Sequence, residues 1–308
     1  MDFKQIVRKN FDEWETQGFC QEAVNLNKNI GEDYFDTAQP HFFTGDIHSK
    51  LVLVHLNPKR NKNIWGKKCE IDFADYWENS VHFGKKVYGK NSPRTHKSPF
   101  DHKQVRFLKP FGILPFKNDV YHNLEVVIDQ KLQLELVPFG SPNFNYHKIG
   151  AKNLQPFIER LLNLINESKR EYIIFCGRIF QEILKDYIVK EKTHSFYLTK
   201  NDGNPTQAKF EVINIKLKYN DLEVTACIAP QYAKQGYPVC EYGKAVCGLY
   251  GKFDKLLSDE EYENLMYDWE ILEPEVTGLP VKIAIPVPKK GRILVSNKLK
   301  ITLQNPIK

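Results

Sequence analysis

No stretch of this 308-residue chain approaches the run of roughly 18 apolar residues that a membrane-spanning helix needs. Its opening segment, MDFKQIVRKNFDEW, has no apolar core of the signal-peptide kind, so secretion is not expected. The six cysteines (Cys20, Cys69, Cys176, Cys227, Cys240 and Cys247) include no CxxC pair, and their spacing matches no zinc or iron–sulfur signature. Cys176 and Cys227 fall in apolar runs and read as small buried hydrophobes. The expectation is a reduced, cytoplasmic protein without a structural metal. Also missing are Gly-x-x-x-x-Gly-Lys-Ser/Thr, Gly-x-Gly-x-x-Gly after a strand, Gly-x-Ser-x-Gly and His-Glu-x-x-His. Their absence argues against P-loop nucleotide hydrolysis, Rossmann dinucleotide binding, α/β-hydrolase catalysis and zincin chemistry. No cofactor is expected.

What is present is the composition of a globular protein, with 42% hydrophobic and 27% charged residues. Aromatic side chains are generous at 13% and spread along the chain. The net charge of +6 permits a polyanionic partner without requiring one. Its distribution says more. Between Lys85 and Lys109 stand eight Lys or Arg, two His and one acid, Asp101. Lys59, Arg60, Lys62, Lys67 and Lys68 add five more basic residues before Glu70. Residues 254–275 are acidic by contrast, so positive charge gathers in the first third.

Taken in order, residues 2–30 carry a helical face of Phe3, Ile6, Val7, Asn10, Phe11 and Trp14, with Gly18 as a stop. Phe42 and Phe43 precede the turn Thr44-Gly45-Asp46 and suit an edge element. The run 51–56, interrupted only by His55, predicts a strand buried on both faces, as in a parallel sheet. A short helix is expected over 72–87, then a mobile loop over 89–109 because of Pro93, Pro99 and many polar residues. Further strands are predicted at 132–138, 172–176, 209–218 and 224–229, and helices at 154–168, 179–189 and 242–257. Gly243, Gly248 and Gly251 weaken the last helix. The fold class is therefore α/β, a central mostly parallel sheet flanked by helices over residues 1–270, with a small β-rich C-terminal extension over 271–308.

Four apolar strands end in turns of related character: LVLVHL-NPKRN, LQLELVP-FGSPN, YIIFC-GRIF and VTACIA-PQYAK. Ligands of open parallel sheets sit outside the carboxyl ends of the strands. Asn57, the basic side chains and Trp65 would land there. Each also has a plainer reading. Asn57-Pro58 suits a simple strand-ending turn. Trp65 suits the core, and His55, set among apolar neighbours, suits a satisfied core histidine. Asp72, Asp75 and Glu78 suit a solvated helix face.

The order of these strand ends resembles the uracil-DNA glycosylase superfamily over roughly residues 48–255. In that superfamily a first strand ends in Gly-x-Asp/Asn-Pro and a later one in Asn-Leu-x-Pro or a relative. Another ends in a Gly-plus-helix turn, and the last in His-Pro-Ser. The resemblance implies a uracil-DNA glycosylase-like fold, DNA or another nucleic acid as partner, and action on an extruded base. It implies that Asn57 orients a water or the substrate, and that Ala229-Pro230-Gln231 takes the place of His-Pro-Ser, with Gln231 or His55 partly compensating for the missing histidine. Trp65 would stack on the base, and Asn143 and His55 would contact its edge. Lys59, Arg60, Arg94 and Arg178 would hold phosphates. Two departures bear on the chemistry. Ala229 stands in the histidine slot, and Lys59-Arg60 replaces small residues after Asn-Pro. Hydrolysis of an N-glycosidic bond is thus one expectation. A non-catalytic module that binds nucleic acid, a nucleotide or a protein is the other.

Overall fold

Asp2, Gln5 and Gly18 delimit the first helix before any packing is considered. Asp2 accepts the Gln5 N–H, and the Gln5 side chain accepts the Asp2 N–H, a capping box at the start of α1 (Phe3–Gln17). Gly18 ends it in the left-handed conformation. The helical stretch expected over 2–30 is thus two helices, with α2 (Gln21–Ile30) following the break. The computed structural model describes residues 2–59, 71–90, 98–117, 119–166, 169–199, 205–231, 239–253 and 293–295.

The centre of the fold is β2 (Leu51–His55), in which every residue is buried. It pairs in parallel with β3 (Leu132–Glu135) on one side and β4 (Tyr172–Cys176) on the other. Beyond β4, β7 (Leu222–Ala229) continues the parallel set. Antiparallel strands complete both edges. β1 (Phe43–Gly45) lies on β3, and β6 (Pro205–Tyr219) pairs with β7. β5 (Ile188–Thr199) pairs with β6, and β8 (Ile293–Val295) with β5. The order among the described residues is β1-β3-β2-β4-β7-β6-β5-β8. The chain leaves β2 toward β3 and returns to the opposite side for β4, so the connection reverses between β2 and β4. Such a reversal opens a crevice at the carboxyl ends.

Helices cover both faces, which is why β2 reads as an unbroken apolar run. Val52 and Val54 join the core formed with α1, α2, α3 (Phe73–Val81) and α8 (Ala151–Asn166). Leu51 and Leu53 face α4 (Phe83–Tyr88), α5 (Pro99–Leu108), α6 (Val120–Gln130) and α10 (Val239–Leu249). The short α7 (Tyr146–Ile149) and α9 (Phe180–Ile183) sit in the connections. Asn220 and Asp221, both at positive φ, form the two-residue turn between β6 and β7.

Other expectations change as well. The short helix expected over 72–87 is two helices, α3 and α4. Part of the loop expected over 89–109 is α5, which Ser98 caps by accepting the Asp101 N–H, with Pro99 in its first turn. Its many charges obscure an apolar face of Val105, Phe107 and Leu108. The helix expected over 179–189 ends at Ile183, because Ile188 already pairs with Leu217 in the sheet. Only Ile293–Val295 of the 271–308 extension is described; the rest lies outside the described residues.

Candidate functional site at the carboxyl ends of the parallel strands

Lys131, Gln133 and Glu135 alternate along β3 and its lead-in, so they share one face of the sheet. That face is covered by helices, which makes a polar row there costly unless its members satisfy one another. They do so in a fixed direction. Lys131, fully buried, donates its Nζ to Thr44 Oγ1 at 2.9 Å and to Gln133 Oε1 at 3.1 Å. Gln104 of α5 donates to the same Gln133 oxygen at 2.7 Å. With its oxygen committed twice, Gln133 turns its nitrogen to Glu135 Oε1, 2.9 Å away. The other carboxyl oxygen, Oε2, is buried and accepts no hydrogen bond from the described residues.

Burial shapes the charges of this row. It pushes the Glu135 carboxyl up to about 7, against the smaller opposing pulls of the Gln133 hydrogen bond and Lys131. It draws the Lys131 ammonium down to about 7, with Asp101, Glu135 and Asp129 holding it back. Asp101, at the start of α5, accepts a short hydrogen bond from the Tyr88 hydroxyl. His55 is the register neighbour of Glu135 on β2. Burial first, then nearby Lys131, lowers its imidazole to about 3, so it is neutral at ordinary pH. Two carboxyls, an ammonium and an imidazole, all buried or nearly so, are a concentration typical of functional sites.

A cavity of about 390 Å³ opens beside this row. Its wall includes Gln133, Glu135, Thr44, Asp36, His41 and Lys59. Backbone hydrogen bonds hold two of its sides together. Asp36 N–H donates to Gly140 O at 2.7 Å, and His41 N–H to Pro138 O at 2.7 Å. Lys59, in its wall, forms an isolated parallel bridge with Ser141. The volume lies within the range of small-molecule sites.

The residues singled out by sequence are distributed around this end of the sheet. Asn57 follows β2 and ties it to the loop after β3. Its amide nitrogen lies 2.9 Å from Pro58 O, 3.1 Å from Phe139 O and 2.9 Å from Ser141 Oγ. Ser141 Oγ in turn donates to Asn143 O at 2.5 Å. The Tyr34 hydroxyl lies 2.6 Å from that carbonyl and 2.8 Å from Asn143 Oδ1. Asn57 and Asn143 are therefore joined through Ser141. His55 packs edge-on to Phe100, with ring centres 5.4 Å apart. Arg178, after β4, is mostly exposed and pairs with Glu211 at 2.6 Å. Gln231 is exposed just past β7. Buried Ala229 accepts the Gly177 N–H at 2.8 Å, closing β4 against β7. Trp65, Arg60 and Arg94 lie outside the described residues.

Sequence reasoning missed Lys131, Gln133 and Glu135. The signal was present in KLQLE, where polar residues alternate with leucines. In a sheet covered on both faces, such alternation places polar groups inside the protein rather than in solvent.

Among the described residues no group of three or more His, Cys, Asp or Glu stands together to hold a metal. No helix among them is long and apolar enough to cross a membrane. No protein-family model matches the chain, and a search of the curated proteins finds no match.

Proposed function

We propose that this α/β protein binds a nucleobase, presented by DNA or another nucleic acid, at the carboxyl ends of its parallel strands in uracil-DNA glycosylase-like fashion. The observation that carries the reading is the cavity of about 390 Å³ bounded by Pro58 and Lys59 of the Asn57-Pro58 strand end. It lies where open parallel sheets take their ligands, and its size suits one base. Lys59 in its wall and the exposed Arg178 after β4 are the phosphate contacts on this reading.

Two observations favour binding over hydrolysis. The Asn57 amide nitrogen is engaged by three oxygens of its own loop region, so positioning a water through that nitrogen would require it to leave them. Ala229 supplies a methyl group where a donor to the departing base would be needed, and one preorganised donor is commonly worth about 100-fold or more in rate.

The test is fluorescence anisotropy with uracil- and hypoxanthine-containing oligonucleotides across a salt series, alongside a base-release assay. Binding is expected to weaken with salt, with a slope of log affinity on log salt near −0.9 per phosphate contact on duplex DNA. Lys59→Ala is expected to make that slope shallower. Base release would restore hydrolysis as the activity. Absence of binding at low salt overturns the reading altogether.

A further inference from the structure

Arg178 stands two residues past the end of β4, yet its guanidinium meets β6. Between those strands lies β7, so the side chain spans the exit of a strand that is not its own. Strands two places apart in a sheet are separated by roughly 9.5 Å. Gly177 makes the turn at φ 146°, a backbone that L side chains rarely adopt, and its N–H donates to Ala229 O at 2.8 Å. Glu211 lies just beyond the last β6–β7 partners, since Ile213 pairs with Ile228 and β7 ends at Ala229. Ser195, its register partner on β5, donates its hydroxyl to Glu211 Oε1 at 3.4 Å.

The two partners differ in exposure. The Glu211 side chain keeps 12% of its surface open, whereas that of Arg178 keeps 71%. Arg178 Nη1 lies 2.6 Å from Glu211 Oε2. A guanidinium carries five N–H donors in a planar fork and stays charged at any ordinary pH. With Nη1 committed to the glutamate, the edge formed by Nε and Nη2 has no hydrogen bond or ion pair among the described residues. That edge matches two oxygens of a phosphate. An ion pair this exposed adds little to stability, so its interest lies in what it orients.

We propose that Glu211 is a positioning residue for phosphate recognition, holding Arg178 by Nη1 across the exit of β7 so that the Nε and Nη2 edge meets a phosphate of the bound nucleic acid. This rests on the nucleobase-binding reading and deepens it. A loose arginine gives up its rotamer freedom on binding, whereas a braced one has already lost it. Glu211 itself touches no phosphate. The brace and simple charge repulsion act with opposite signs, because repulsion alone makes an acid beside a phosphate site weaken binding.

The test is fluorescence anisotropy of a duplex oligonucleotide with the full chain across a salt series. Arg178→Ala is expected to make the slope of log affinity on log salt shallower by about 0.9, one phosphate contact. Glu211→Ala removes a negative charge, yet it is expected to weaken binding by about threefold, the scale of one side chain left to be ordered. In the Arg178→Ala background the same substitution should weaken binding no further. Glu211→Gln keeps an acceptor for Nη1 and should bind at least as tightly as the parent. Tighter binding by Glu211→Ala than by the parent would make the glutamate a repelling charge and overturn the proposal. An unchanged slope in Arg178→Ala, which alters a mostly exposed side chain, overturns it as well. No binding by the unaltered protein at low salt overturns the underlying reading instead.

Discussion

Lys131 and Glu135 stand at opposite ends of one face of β3, with Gln133 between them. Each is pressed by burial toward its neutral form, and both are brought to about 7. They are linked through an amide that accepts from one and donates to the other. The arrangement makes the polar interior of this sheet sensitive to pH and to single substitutions.

The pH dependence of stability separates the two ends. Glu135 has a raised folded value, so its contribution is full below its ordinary value near 4.5 and is lost as pH rises through about 7. Lys131 has a depressed folded value. Its contribution is full above its ordinary value near 10.5 and is lost as pH falls through about 7. Lowered to about 3, His55 adds a loss of stability as pH drops from 6.5 toward 3. Urea midpoints measured across pH should therefore differ between parent and Glu135→Gln chiefly between pH 4.5 and 7, and between parent and Lys131→Met chiefly from 7 to 10.5. Parallel pH curves for parent and variants would show that these groups do not titrate as their burial dictates.

Asp101 is expected to be the most sensitive of the surrounding groups. It accepts from buried Tyr88, and its negative charge does most among the nearby groups to keep Lys131 protonated against burial. Asp101→Ala removes both at once and should destabilise the fold by about 3 kcal/mol. Asp101→Asn, which keeps an acceptor but no charge, should cost less. Thermal or urea unfolding checks the order, and an alanine variant within about 0.5 kcal/mol of the parent would remove this network from the account of stability.

Asn57 has a structural task whatever else it does. Asn57→Ala severs the ties from the β2 end to Phe139 and Ser141 and should cost about 1 to 2 kcal/mol. Amide exchange should accelerate at Ser141, whose N–H donates to Pro58 O. Unchanged exchange there would mean that the loop is held by its backbone bonds alone.

Gly243 is a close-packing position. A Cβ on it would lie 1.9 Å from Phe107 O, so α10 meets the end of α5 backbone to backbone. Helix propensity alone says that Gly243→Ala should stabilise α10 by nearly 1 kcal/mol. The clash reverses that sign, and the variant is expected to lose about 2 kcal/mol or more in urea unfolding. A gain in stability would mean that the two helices separate readily.

The sequence by itself determined the elements whose pattern was one-dimensional. The apolar runs of β2 and β4 and the capped, periodic face of α1 were legible, because burial on two faces and helical spacing leave marks in neighbouring residues. Even the four strand ends announced that they share a direction. Tertiary structure decided what those marks could not carry. β5 begins at Ile188, inside the end of a span expected to be helical, because Ile188 pairs with Leu217 of β6, a partner that the local pattern does not reveal. Gly243 reads as a weak helix position until Phe107 is seen against it. Above all, Lys131, Gln133 and Glu135 look like ordinary solvent-facing positions of an alternating strand. Only the helices α4, α5 and α6, packed over that face, turn them into a buried, directed row ending in an oxygen with nothing described to bind.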